Sequence, residues 1–183
     1  AIDEHVAHQP NLVRTAAVAT NDGFILNGQK TFVLDGHVAN KLLVTARTSG
    51  EDTSAAGISL FLVDADAEGL EITRTMMVDS RNAANITLKD VKVSSENVVG
   101  NIDEASPLLD EVLDIARIGL AAEMLGSVQE LFDRTLDYLK QREQFGVLIG
   151  SFQGLQHRAA DMYSEIELCK STVRAALSAL DDP

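Results

Sequence analysis

The sequence predicts an α+β protein. An antiparallel β-barrel or sandwich is expected over residues 1–103, and over 104–183 a long antiparallel helical hairpin that forms part of a four-helix bundle. Two observations carry this reading. Between residues 12 and 100 the apolar residues come in short runs broken by Gly, Asp, Asn and Ser, the length of strands rather than of typical helices. From Ser106 onward they recur every three or four positions, the period of a helix with one buried face.

The strands follow in order. "LVRTAAVAT" leads into "NDG", a turn signal, then "FIL", then the tight Asn27-Gly28 pair, then "QKTFVL". The runs "KLLVTART", "ISLFLVDA", "LEITRTMMV" and "NITLKDVKV" complete the set. Five or more short strands with no intervening helix imply an antiparallel barrel or sandwich. Ser106-Pro107 then reads as an N-cap followed by proline at the first helical position. Leu109, Val112, Leu113, Ala116, Leu120, Met124, Val128, Leu131, Leu136 and Leu139 form the stripe of the first helix. Gly146 is expected to end it and Ser151 to cap the second. The second stripe runs through Leu155, Ala159, Met162, Ile166, Cys169, Val173, Ala176 and Leu180. Two such helices leave one side of each poorly covered, so further helices or another subunit are expected against them.

Charge and composition narrow the function. The net charge of −13 argues against nucleic acid, because phosphate binding needs a basic face. A single cysteine, Cys169, excludes an internal disulfide or a cysteine zinc cluster, and a reducing, cytoplasmic setting is expected. No apolar run reaches the roughly 18 to 20 residues of a membrane span. The opening "AIDEHVAHQP" has neither initiator Met nor signal-peptide character, and the chain is expected to begin inside a larger protein.

Several motifs have plain structural readings. "GFILNGQKT" imitates a phosphate-binding loop, but Phe, Ile, Leu and Asn between its glycines make a strand whose amides are already paired. His5 and His8 have ligand-like spacing without supporting carboxylates, and Pro10 points to a loop. Cys169 falls on an apolar stripe and is expected to be buried. Arg117, in a mostly apolar helix, either snorkels outward or meets an anion, and Asp114 one turn earlier is a ready partner.

The segment "REQFGVLIGSFQGLQHRAADM", residues 142–162, is different. Arg142 in a last helical turn suits the helix dipole. The dipole does not explain Gln144 and Gln153 beside Phe145, Val147, Leu148, Ile149 and Phe152. A corner this apolar is expected to be buried, and its guanidinium and amides then need a polar partner. Each unpaired buried group costs about 1–3 kcal/mol. A phosphate-bearing ligand or a second protein chain would serve.

The same segment resembles the R-x-x-F-G-x-x-I-x-x-F-Q-x-x-Q-x-x-x-A-D-M signature of the acyl-CoA dehydrogenase family of flavoproteins. "DGFILNGQKTFVLDGHVANKLLVTART" and "LKDVKVSSENVVG" resemble that family's second domain, and "ARIGLAAEMLGSVQELFDRTLDYLKQREQFG" resembles the first helix of its C-terminal bundle. The resemblance covers essentially the whole chain. It implies FAD-dependent α,β-dehydrogenation of an acyl-CoA thioester, with a homodimer or homotetramer in which the helical corner reaches the neighbour's FAD. Arg142 would face the FAD pyrophosphate, with Gln144, Phe152 and Gln153 at the adenosine end. Phe32 matches the aromatic residue that packs on the flavin, and Leu34 stands where the family has a threonine, leaving only backbone contacts. Glu4 matches the acidic residue of a cofactor-binding loop whose glycines are replaced here by "HVAHQ", with Gln9 as an alternative amide. Asp114 and Arg117 match positions that contact the CoA substrate. Ala116 occupies the place where some members carry the catalytic glutamate, so no catalytic base is assigned in this chain. Electrons are expected to pass to an electron-transfer flavoprotein. A same-fold acyl-CoA oxidase or flavin monooxygenase, and a non-catalytic assembly subunit, are the alternatives.

Overall fold

The short apolar runs form one seven-stranded sheet. Its strands are β1 (Ala16–Thr20), β2 (Gly23–Leu34), β3 (Lys41–Arg47), β4 (Ile58–Asp64), β5 (Leu70–Met76), β6 (Asn82–Ser94) and β7 (Val98–Val99). The computed structural model describes residues 1–181 of the chain, which divides into two compact units, Ala1–Asp110 and Glu111–Pro183.

The sheet order is β5-β6-β2-β1-β3-β4-β7. All pairings are antiparallel except a single parallel bridge of β1 to β3, Ala16 to Arg47. The sheet does not close, since β5 and β7 remain its two edges; the barrel form of the expectation is therefore corrected to an open, sandwich-like sheet. Apolar residues from its two halves share one core: Leu26, Val33, Ile86 and Val91 with Leu42, Val44, Phe61 and Val63. Phe24 of β2 and Phe61 of β4 meet edge to face at 5.1 Å, joining those halves. Burying each such side chain contributes about 1.5–3 kcal/mol.

The turn between β1 and β2 falls at Asn21-Asp22, with Thr20 paired to Gly23. Asn27-Gly28 is not a second turn. β2 runs straight through it, and the register with β6 shifts between Leu26 and Gly28. Asn27 exchanges hydrogen bonds with Asp90 there, the Asn27 amide donating to Asp90 Oδ1 and the Asp90 N–H to Asn27 Oδ1, each at 2.9 Å. The extra residue lies on β6, where Asp90 has φ 54°, so "NG" faces a bulge in its partner strand and does not turn the chain. Gly28 is required for another reason: a Cβ there would lie 2.6 Å from Thr15 Cα.

Helix α1 spans Ala105–Gln141 and α2 spans Gln153–Asp181. The first begins at Ala105, two residues before the expected first helical position at Pro107, and Ser106 donates its hydroxyl to Ala55 O instead of capping the helix. In the second unit the helices run antiparallel, with Phe132 against Tyr163 at 6.3 Å and Phe132 and Ile166 buried. Beyond that contact they leave an apolar groove of about 570 Å³, lined by Met124, Val128, Met162, Cys169 and their neighbours. Cys169 is exposed, which corrects its expected burial. Leu120, Met124, Leu131 and Leu168 are also more than half exposed, as expected for a hairpin whose outer faces need further helices.

Candidate functional site

The connection between α1 and α2 is a miniature hairpin, not a helix end at Gly146. α1 stops at Gln141. Strands β8 (Glu143–Gln144) and β9 (Val147–Leu148) then pair across the two-residue turn Phe145-Gly146. Both turn residues have positive φ, 55° and 78°, as a type I′ turn demands. Ser151 does not cap α2. It ends a 3₁₀ turn, Ile149–Ser151, and donates its hydroxyl to Leu148 O.

Contrary to expectation, this corner is not buried within the chain: Phe145 is 92% exposed and Phe152 38%. Their rings pack edge to face at 6.2 Å. Arg142 beside them is exposed, and its guanidinium has no hydrogen-bond or ion-pair partner among the described residues. The Gln144 amide donates to Glu143 O at 2.8 Å and keeps its carbonyl free. Gln153 is exposed and its side chain has no partner among the described residues. The tip thus gathers a permanent cation, amides and aromatic faces with little internal use for them. This donor set fits a dinucleotide, with a diphosphate for the guanidinium fork and a heteroaromatic base for the rings.

A second set lies on the sheet. In β2, Thr31 and Phe32 together face the single residue Asn85 of β6, because the register runs Lys30 to Ile86 and then Val33 to Ala84. This is a β-bulge, and Phe32 adopts φ 49°, a left-handed conformation uncommon for a non-glycine residue. The Thr31 N–H donates to Asp3 O at 2.8 Å and the Phe32 N–H to Asn85 Oδ1 at 3.2 Å. Phe32 is 45% exposed and Leu34 66%, so both turn outward where a flat ligand could stack.

Glu4 lies in the segment that pairs with this bulge. Its carboxylate accepts from Lys30 Nζ at 2.8 Å and from the N–H groups of Arg14 and Thr15 at 2.8 and 2.9 Å. Lys30 also donates to Thr45 Oγ1 and Ile2 O. Burial opposes charge on both groups. At Glu4 the Lys30 ammonium and the hydrogen bonds outweigh burial and hold the carboxyl below the usual carboxylate range. At Lys30 burial dominates and lowers the ammonium, against the pull of Glu4. Sequence reasoning missed Lys30. Its signal was a lysine in step with Leu26 on the inward side of a strand. Arg47 was missed as well. It is buried, and it donates to the carbonyls of Val13, Ser54, Ala56, Asn11 and Asp52, tying loops to β3.

Gln9 is exposed beside a shallow depression with Pro10, Leu12 and Thr53. Asp114 and Arg117 form an exposed ion pair at 2.5 Å, while Ala116 is exposed next to them. His8 pairs with Asp3 at 2.8 Å. Among the described residues no cluster of His, Cys, Asp and Glu could hold a metal ion.

The described residues thus offer two candidate sets, an aromatic bulge on the open sheet and a cationic tip on the helical hairpin. Residues 5–91 match the acyl-CoA dehydrogenase middle domain and residues 107–183 the acyl-CoA dehydrogenase C-terminal domain. The chain belongs to the acyl-CoA dehydrogenase family. It is 35% identical over 163 residues to the mitochondrial short/branched chain specific acyl-CoA dehydrogenase of Bos taurus, covering 86% of this chain and 37% of that protein. It is 32% identical over 171 residues to the caffeyl-CoA reductase-Etf complex subunit CarC of Acetobacterium woodii, covering 92% and 45%. The solved structure of PigA with FAD and proline matches with a TM-score of 0.88 at 25% identity, over 97% of this chain and 47% of that one. The chain therefore spans less than half the length of these relatives.

Proposed function

We propose that the protein carrying this chain is an FAD-dependent dehydrogenase that oxidises an acyl-CoA thioester between its α and β carbons. The observation that carries this reading is the hairpin tip, where the Arg142 guanidinium, without a partner among the described residues, stands beside Gln144, Gln153 and two exposed aromatic rings. FAD, when bound, supplies the electron-pair acceptor. Arg142 holds its pyrophosphate, and Gln144, Phe152 and Gln153 line the adenosine end. Phe32 packs on the flavin and Leu34 offers it main chain alone. Glu4 acts by fixing the loop that carries Gln9. Gln9, Asp114 and Arg117 contact the acyl-CoA.

The tip of one subunit serves the cofactor of its neighbour in this reading, which makes the protein a homodimer or homotetramer. An electron-transfer flavoprotein is the proposed partner, in keeping with the Etf complex named for the Acetobacterium relative. The proposed setting is cytoplasmic, a reading that rests on the single cysteine, Cys169. A second reading, a same-fold oxidase or monooxygenase, draws on Leu34, which lacks the hydroxyl expected beside the flavin. The test is to isolate the full-length protein and record its visible spectrum, then add acyl-CoA thioesters with and without oxygen. Anaerobic bleaching that persists in air supports the dehydrogenase, and rapid recolouring in air supports the oxidase. A colourless protein unable to take up FAD would overturn both.

A further inference from the structure

We infer that Asn85 is a positioning residue that sets the shape of the flavin-facing bulge through the backbone of Phe32. The inference rests on the proposed flavin reading. Opposite Thr31 and Phe32 the ladder has a single residue, and both N–H groups bond outside it. Thr31 donates to Asp3 O, in the segment that Glu4 and Lys30 pin to the sheet. Phe32 donates to the Asn85 side chain. Removing that acceptor would leave the Phe32 N–H with water as its only partner and would free φ to leave the left-handed region, where a phenylalanine stays only when its surroundings hold it. The ring direction follows from that φ, so the face offered to the flavin is decided on the neighbouring strand. Asn85 itself is exposed and pairs its backbone with Thr73 of β5. Its side chain can therefore be changed without opening the core.

Two near-isosteric substitutions in the full-length protein separate the roles. N85L removes the acceptor and N85D keeps it. In N85L the Phe32 amide should exchange with solvent about fivefold faster, the equivalent of one neutral hydrogen bond. The visible circular dichroism of bound flavin should change shape while the melting temperature stays near that of the parent. N85D should restore both signals. An N85L protein with parental flavin dichroism and parental Phe32 exchange overturns the inference and leaves the flavin reading standing. A parent protein that takes up no FAD overturns both, and that failure is visible before any substitution is made.

Discussion

Lys30 and Glu4 form an ion pair closed to solvent, Nζ to Oε1 at 2.8 Å with side-chain exposures of 0% and 6%. It fastens the first residues of the chain to the middle of β2, one position before the bulge that presents Phe32. Removing one partner leaves a buried charge. K30M and E4Q should each destabilise the chain by about 3–5 kcal/mol, measured by urea denaturation. The double variant K30M/E4Q should recover part of that loss, because its remaining amide can still accept one of the Arg14 and Thr15 N–H groups. Additive losses would show that the two side chains are not coupled.

The same pair gives an acid dependence of known sign. The folded Glu4 carboxyl titrates below its unfolded value. Its stabilisation is complete above the ordinary carboxylate range and is lost as pH falls through the lowered folded pKa. The stability difference between parent and E4Q, followed by denaturation from neutral pH into acid, should shrink across that window. A constant difference would mean that Glu4 does not titrate with folding.

Arg142 should matter to ligand and hardly at all to fold. R142A should shift stability by less than about 0.5 kcal/mol, as for a surface residue whose side chain has no partner among the described residues. In the full-length protein it should weaken FAD retention by about 2–3 kcal/mol, the scale of a charged hydrogen-bonding pair. R142K should recover only part, since an ammonium lacks the planar fork. Fluorescence titration with FAD and thermal melts provide the two readouts.

One kind of substitution should act with opposite signs in the two units. G28A forces a Cβ to within 2.6 Å of Thr15 Cα and should cost about 1–3 kcal/mol. Gly126 lies within α1, and a Cβ added there meets nothing within 4 Å. G126A should stabilise this chain by about 0.5–1 kcal/mol, through helix propensity. Denaturation midpoints of both variants test the pair.

Arg47 should not tolerate lysine. Its fork serves carbonyls of several loop residues at once, at distances from 2.8 to 3.3 Å, and an ammonium reaches fewer of them. R47K should lose about 2–4 kcal/mol in chemical denaturation, as orphaned buried carbonyls accumulate.

The class of the fold, the change from strands to helices and the family are all legible in the amino-acid order alone. They are written in local periodicity and ordered motifs: short runs such as "ISLFLVDA", the three-and-four spacing of α2, and the signature from Arg142 to Met162. The residues of the hairpin tip and of the Phe32 segment are legible too, because they lie within contiguous motifs. Folding in three dimensions settled the rest: Asn27-Gly28 continues a strand opposite a bulge in β6, the sheet stays open, and the tip is exposed. It also brought Asn85 to Phe32, 53 positions apart, and Glu4 to Lys30, 26 apart. One cause underlies each case. Local propensity reports what a backbone segment prefers alone, whereas the partner of a buried charge or of an unpaired N–H is chosen by which strand the sheet register lays beside it.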